Sequence, residues 1–181
     1  MKILFLAAVD FELDAARRAW GGTDAVFLVG GVGADATRKA LGLAFSSGIA
    51  FDRVVNIGIA GSDAQTLPIG TVVQVVTEQH GDSSAPKLRN PEPWTALDFL
   101  PRATGRTLQV LDDRWRQDPA DVETMEGAAF FEVCLERGVP FAEIRVVSNQ
   151  VGERDHARWD IPLALRQLES ALRTLHQKLS F

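Results

Sequence analysis

Glu12, Glu126 and Asn149 are the side chains whose type and placement suit chemistry on a polar substrate. Glu12 stands just past the apolar run Ile3–Val9, and Asn149 just past the run Phe141–Ser148. Glu126 lies in Glu123-Thr124-Met125-Glu126-Gly127-Ala128-Ala129-Phe130-Phe131. At about 100° per residue it shares a helix face with Ala129, Phe130 and Val133, whereas Glu132 and Glu136 point elsewhere. A carboxylate on an apolar face must meet a donor, because burying it unpaired is costly. Ligand hydroxyls are suitable donors. Each residue also has a purely structural reading. Glu12 fits a first-turn helix carboxylate, Asn149 a turn, and Glu126 a dipole-stabilised carboxylate behind a Thr124 cap. His80, His156 and His176 lack metal-ligand spacing, and Cys134 sits among apolar neighbours, so no metal is expected.

The elements that position these residues follow from hydrophobic period. Strands are expected at Ile3–Val9, Ala25–Val29, Arg53–Ile59, Gly70–Thr77 and Phe141–Ser148. Helices are expected from Glu12 to Trp20, from the glycine turn 30–33 through Phe45, over Thr124–Arg137, and over Ile161–Leu179. Strands apolar on both faces and interleaved with helices imply an α/β fold with a covered sheet. Gly81 to Asp121, with Pro86, Pro91, Pro93, Pro101 and Pro119, reads as loops with a strand near Thr107–Leu111. The last helix carries Leu165, Leu168, Leu172, Leu175 and Leu179 on one stripe, capped by Asp160 with Pro162 in its first turn. That stripe is expected to pack on the sheet. In an open α/β sheet ligands bind beyond the carboxyl ends of the strands, where Glu12, the turns 30–33 and 58–62, and Asn149 all fall.

Composition narrows the partners. The chain has 181 residues, 46% hydrophobic and 24% charged, with net charge −5 and one cysteine. A single domain spanning 1–181 is expected, in a reducing, cytoplasmic setting. The acidic balance and lack of a basic run argue against nucleic acid. No apolar segment is long enough to span a membrane, and the apolar start ends in Asp10 and Glu12 rather than in a cleavage site. Gly31-Val32-Gly33-Ala34-Asp35-Ala36 fits a dinucleotide turn. However, it follows the second strand, and the expected acid is missing, since Asp52 precedes the next strand.

Longer segments point further. AAVDFEL (7–13), GGVG (30–33), NIGIAGS (56–62), IGTVVQV (69–75), VETMEGAAFFEVC (122–134) and VPFAEIRVVSNQVGERDHARWDIPLAL (139–165) resemble, in matching order, the nucleoside phosphorylase/nucleosidase superfamily. Within it they look most like the futalosine hydrolase family. The resemblance implies a three-layer α/β/α fold with a central mixed, mostly parallel sheet. It also implies a cytoplasmic, cofactor-free N-ribosyl hydrolase of menaquinone biosynthesis, commonly a homodimer or higher homo-oligomer, acting on a small purine nucleoside. By position, Glu12 matches the carboxylate that activates water, and Met125 and Glu126 match the residues that hold the ribose. Asn149 matches the purine-reading residue, and Val32, Ile59, Ala60 and Gly61 would line the pocket. The region before VETMEG normally supplies an aromatic that stacks on the purine. Here Trp115 and Phe99 are the candidates.

Breaking the glycosidic bond passes through a ribosyl cation while charge builds on the departing purine. A general base, electron-rich oxygens near the ribose and a donor to the purine are therefore wanted. An asparagine amide can donate to N7 or O6 of a 6-oxopurine, whereas an aspartic acid suits adenine. A group left unsatisfied discriminates by about 1–3 kcal/mol. Futalosine, which releases hypoxanthine, is the expected substrate. An adenine-releasing nucleosidase acting on aminodeoxyfutalosine or methylthioadenosine/S-adenosylhomocysteine is the alternative, as is a nucleoside-binding module without turnover. The turn at Ile59 offers no arginine for phosphate, which favours water as the acceptor. Arg154 or Arg158, beside Trp159, is expected near the carboxylate of the futalosine tail.

Overall fold

The computed structural model describes residues 1–22, 24–63, 65, 67–81, 85–108, 120–153 and 155–180. The strands are β1 (Ile3–Ala7), β2 (Ala25–Val29), β3 (Arg53–Ser62), β4 (Val72–His80), β5 (Leu88–Arg89), β6 (Arg102–Thr107), β7 (Val122–Thr124) and β8 (Phe141–Gln150). The helices are α1 (Asp10–Ala19), α2 (Ala34–Ser46), α3 (Gly127–Arg137) and α4 (Ile161–Leu179).

All strands join one mixed, mostly parallel sheet in the order β2-β1-β3-β7-β6-β4-β5, with β8 pairing both β3 and β4. β8 runs parallel to β3 and antiparallel to β4, while β7 runs antiparallel to β3 and parallel to β6. The strands β3, β7, β6, β4 and β8 therefore close a circuit, which departs from the open sheet that the apolar runs imply. β1 and β2 extend from it as a parallel wing.

Strand periodicity sorts side chains between the two helical layers. Phe5, Val55, Ile57, Ile144 and Val146 pack with Leu13 of α1 and with Leu168, Leu172 and Leu175 of α4. Leu4, Val54, Ala60, Phe141 and Val147 pack with Leu41 of α2 and with Phe130, Phe131 and Cys134 of α3. The leucine stripe of α4 thus covers the sheet. Asp160 caps that helix by accepting from the Leu163 amide at 3.0 Å.

Several boundaries move: β1 ends at Ala7, β3 runs on to Ser62 and β4 spans Val72–His80, and two further shifts bear on the site. The expected strand near Thr107–Leu111 lies earlier, because β6 ends at Thr107 and residues 109–119 lie outside the described residues. The helix expected from Thr124 starts at Gly127, since Val122–Thr124 pairs with β6 and the Thr124 carbonyl accepts from Leu108. Glu126 consequently precedes α3 instead of sitting on its apolar face. Among the described residues, no helix is long and apolar enough to cross a membrane.

Candidate active site

Glu12 sits in the first turn of α1, immediately after β1, and is only 3% exposed. Its Oε1 accepts from the Ile59 amide at 2.9 Å and its Oε2 from the Val9 amide at 3.3 Å. Burial pushes its pKa above the ordinary carboxylate value, against the pull of the Ile59 amide, Arg145 and the Val9 amide. The outcome is a fixed carboxylate of raised basicity. Gly58 makes room for it: a Cβ there would lie 2.8 Å from Glu12 Oε1 and collide with the Arg145 guanidinium.

Glu126 reaches from the start of α3 to the turn between β2 and α2. Its Oε1 accepts from the Gly33 amide at 2.9 Å, where the backbone has a φ of +91° that favours glycine. The glycine turn therefore gives an amide to a carboxylate, the opposite of a phosphate cradle. Glu126 Oε2 lies 3.8 Å from Arg145 Nη2.

Arg145 is a residue that sequence reasoning overlooked. It is 1% exposed on β8, where its Nε donates to Glu143 Oε1 at 2.7 Å. Burial alone would weaken its hold on the proton, but Glu143, Glu126 and Glu12 together raise its pKa. The signal was present in the alternation Phe141-x-Glu143-x-Arg145-x-Val147, which puts two charges on one strand face.

Asn149, at the far end of β8, is 7% exposed. Its Oδ1 accepts from the Ser148 hydroxyl at 2.8 Å, and its Nδ2 donates to the Gln150 carbonyl at 3.0 Å. With one bond made at each end of the amide, Asn149 keeps a second hydrogen on Nδ2 and a second lone pair on Oδ1 for a ligand.

These side chains surround a cavity of about 380 Å³, within the usual small-molecule range of about 300–1,000 Å³. Glu12, Val32, Ile59, Ala60, Gly61, Met125, Glu126 and Asn149 all line it. So do Phe11, His156, whose spacing pointed to no metal, and Trp159, named only as the neighbour of the two arginines; the last two rings lie 4.2 Å apart. Arg154 and Trp115 lie outside the described residues. Arg158 does not line the cavity, because its exposed guanidinium pairs with Glu153 at 3.2 Å. Phe99 is also elsewhere, beneath Lys178. Among the described residues, no cluster of His, Cys, Asp or Glu could hold a metal.

A basic carboxylate, a second carboxylate backed by a buried guanidinium, and an amide donor around an apolar cavity suit hydrolysis of a bond between a hydroxyl-bearing group and a leaving base. The family model of the Phosphorylase superfamily matches residues 94–180. A futalosine hydrolase of Streptomyces coelicolor is 31% identical, with 95% of this chain and 94% of that protein covered. The chain belongs to the nucleosidases of the phosphorylase superfamily. A second relative, the futalosine hydrolase of Acidothermus cellulolyticus, is 46% identical over 72 residues; that match spans 40% of this nucleosidase and 30% of the relative. In fold, the nucleosidase is similar to the Streptococcus pneumoniae MTA/SAH nucleosidase in complex with 8-aminoadenine. The TM-score is 0.83 at 18% identity, covering 98% and 99% of the two chains. The family's general activity, hydrolysis of an N-glycosyl bond, is the activity class of this chain.

Proposed function

We propose that this nucleosidase hydrolyses the N-glycosidic bond of futalosine, releasing hypoxanthine and dehypoxanthine futalosine as a step of menaquinone biosynthesis. The observation that carries the reading is Asn149, whose Oδ1 is engaged by Ser148 and whose Nδ2 remains a donor. A donor there matches N7 or O6 of a 6-oxopurine and stabilises the charge that builds on the leaving base. Adenine carries an amine in place of O6, so an amide donor turned to that substituent meets another donor, whereas N7 accepts in both purines.

In the proposed reaction Glu12 takes a proton from water as the oxygen bonds to the anomeric carbon. The bond to the purine nitrogen breaks, and its electron pair leaves with the base. Glu126 stabilises the ribosyl cation and, with Met125, holds the sugar. Val32, Ile59, Ala60 and Gly61 wall the cavity and limit the water that enters. Arg154 is the proposed partner of the futalosine carboxylate. Glu12 must be ionised to act, so kcat/KM falls as pH drops through its raised pKa. The proposal carries with it a cytoplasmic protein of one domain that works as a homodimer or higher homo-oligomer.

Incubation with futalosine, aminodeoxyfutalosine and methylthioadenosine, followed by chromatography of the released base, tests the assignment. Hypoxanthine from futalosine is the expected product, and Arg154→Ala should raise KM for futalosine in the same assay. Adenine as sole product would overturn the role given to Asn149. Release of no base would favour a nucleoside-binding module.

A further inference from the structure

Behind the cavity lies a second pair of carboxyl groups for which the reaction above has no use. Glu78 on β4 and Glu143 on β8 are both 0% exposed. Together they crowd the start of α3. A Cβ on Gly127 would collide with the Glu78 carboxyl group and lie 3.1 Å from Glu143 Oε1. Gly105 on β6 leaves room for Glu78 in the same way. Each glutamate keeps one oxygen engaged. Glu78 Oε2 accepts from the Thr107 hydroxyl at 3.0 Å, and Glu143 Oε1 accepts from Arg145 Nε at 2.7 Å and from Asn56 Nδ2 at 3.2 Å. The other two oxygens, Glu78 Oε1 and Glu143 Oε2, are buried with no hydrogen-bond partner among the described residues.

Two ionised carboxylates with bare oxygens cannot stand side by side in a dry interior, whereas a carboxyl–carboxylate pair holding one proton can. The groups facing this pair are Thr107 from β6, Asn56 from β3, Arg145 from β8, Cys134 from α3, and Glu126 and Glu12 beyond Arg145. The guanidinium directly bonded to the pair already faces three carboxylates, Glu143, Glu126 and Glu12. Its bond is to Glu143, which makes Glu143 the ionised member and Glu78 the one that keeps the proton.

We propose that Glu143, neutralised from behind by a protonated Glu78, is a positioning residue that aims the Arg145 guanidinium at Glu126 and Glu12. Its bond to Nε fixes the plane of the guanidinium. Nη2 is then presented toward Glu126 Oε2, 3.8 Å away, from just outside the cavity lining and with no hydrogen-bond partner of its own among the described residues, so that it acts on the cavity through that carboxylate. The proton on Glu78 keeps a second negative charge from drawing that guanidinium away. The inference rests on Glu12 and Glu126 serving the proposed hydrolysis, but the pair can be observed without turnover.

Infrared spectroscopy of the full chain at neutral pH reads the protonation state directly. The wild type is expected to show a carbonyl band of a buried, protonated carboxyl group that survives exchange into neutral buffer, and Glu78→Gln is expected to lack it. Absence of the band from the wild type, or its persistence in Glu78→Gln, would overturn the assignment whatever the substrate proves to be. Glu143→Gln keeps an oxygen for Nε and Asn56 but removes the charge. With that charge gone, the field of Arg145 acts more fully on Glu12, which then ionises at lower pH. The acid limb of kcat/KM should move down by about one pH unit, with kcat about tenfold lower and KM changed less. A merely structural role would lower stability and leave the limb in place, and that result would refute the positioning role.

Discussion

At the scale of single residues, Glu12→Gln is the sharpest probe. Glutamine keeps the shape of the side chain, and its Oε1 can still accept from Ile59, so the site should persist. A neutral amide cannot take a proton from water. Turnover is expected to fall by about 10²-fold or more, while binding of the nucleoside, measured by calorimetry, survives. Retained turnover would move the base elsewhere. Glu12 and Asn149 were legible in the sequence because each stands where an apolar run stops. Arg145, Glu143 and Glu78 were harder to find. Period two puts Glu143 and Arg145 on a common face of β8, yet only the pairing of β8 with β3 and β4 brings Asn56 and Glu78 beside them. That pairing is long-range information that a single sequence carries weakly.

At the scale of elements, α4 was readable to its ends. Asp160, Pro162 and the leucine stripe fix Ile161–Leu179, which matches the observed helix. Leu172 on that stripe is fully buried between α1 and the sheet. Leu172→Ala should cost about 2–5 kcal/mol in urea denaturation, through lost burial and the cavity left behind. A loss below about 1 kcal/mol would mean that α4 packs loosely. β6 and β7 were displaced or missed for the opposite reason. Arg102-Ala103-Thr104-Gly105-Arg106-Thr107 has no apolar run, and it is strand because β4 and β7 offer it partners on both sides. Similarly, the start of α3 could not be read from Thr124, since a threonine that ends a strand and one that begins a helix look alike. Here the residue does both duties, its hydroxyl accepting from the Gly127 amide at 3.3 Å while its backbone stays in β7.

At the scale of the whole molecule, the buried carboxyl groups leave a mark on stability. Glu78 and Glu143 both ionise above the ordinary value because burial disfavours their charge, opposed for Glu143 by Arg145. A carboxyl group whose folded pKa is raised contributes stability that is complete below its unfolded pKa and is lost as pH rises through the folded one. Relative to Glu78→Gln, which does not titrate, the wild type should therefore lose stability as pH rises above 4.5, by at most about 1.4 kcal/mol per pH unit. Urea unfolding of both proteins across that range checks this. A constant difference at every pH would mean that Glu78 ionises in the fold as it does in the unfolded chain.

The closed circuit of strands also sets an order of events during synthesis. β8 is the member that joins β3 to β4, and it is made after every other strand. Until residues 141–150 emerge from the ribosome, β3 and β4 each present a bare edge open to strand addition from other chains. Arg145 and Asn149 arrive on that same strand. A nascent or truncated chain ending before β8 is thus both sticky and without the guanidinium and amide of the site. Completion of the sheet and completion of the catalytic cavity become a single step.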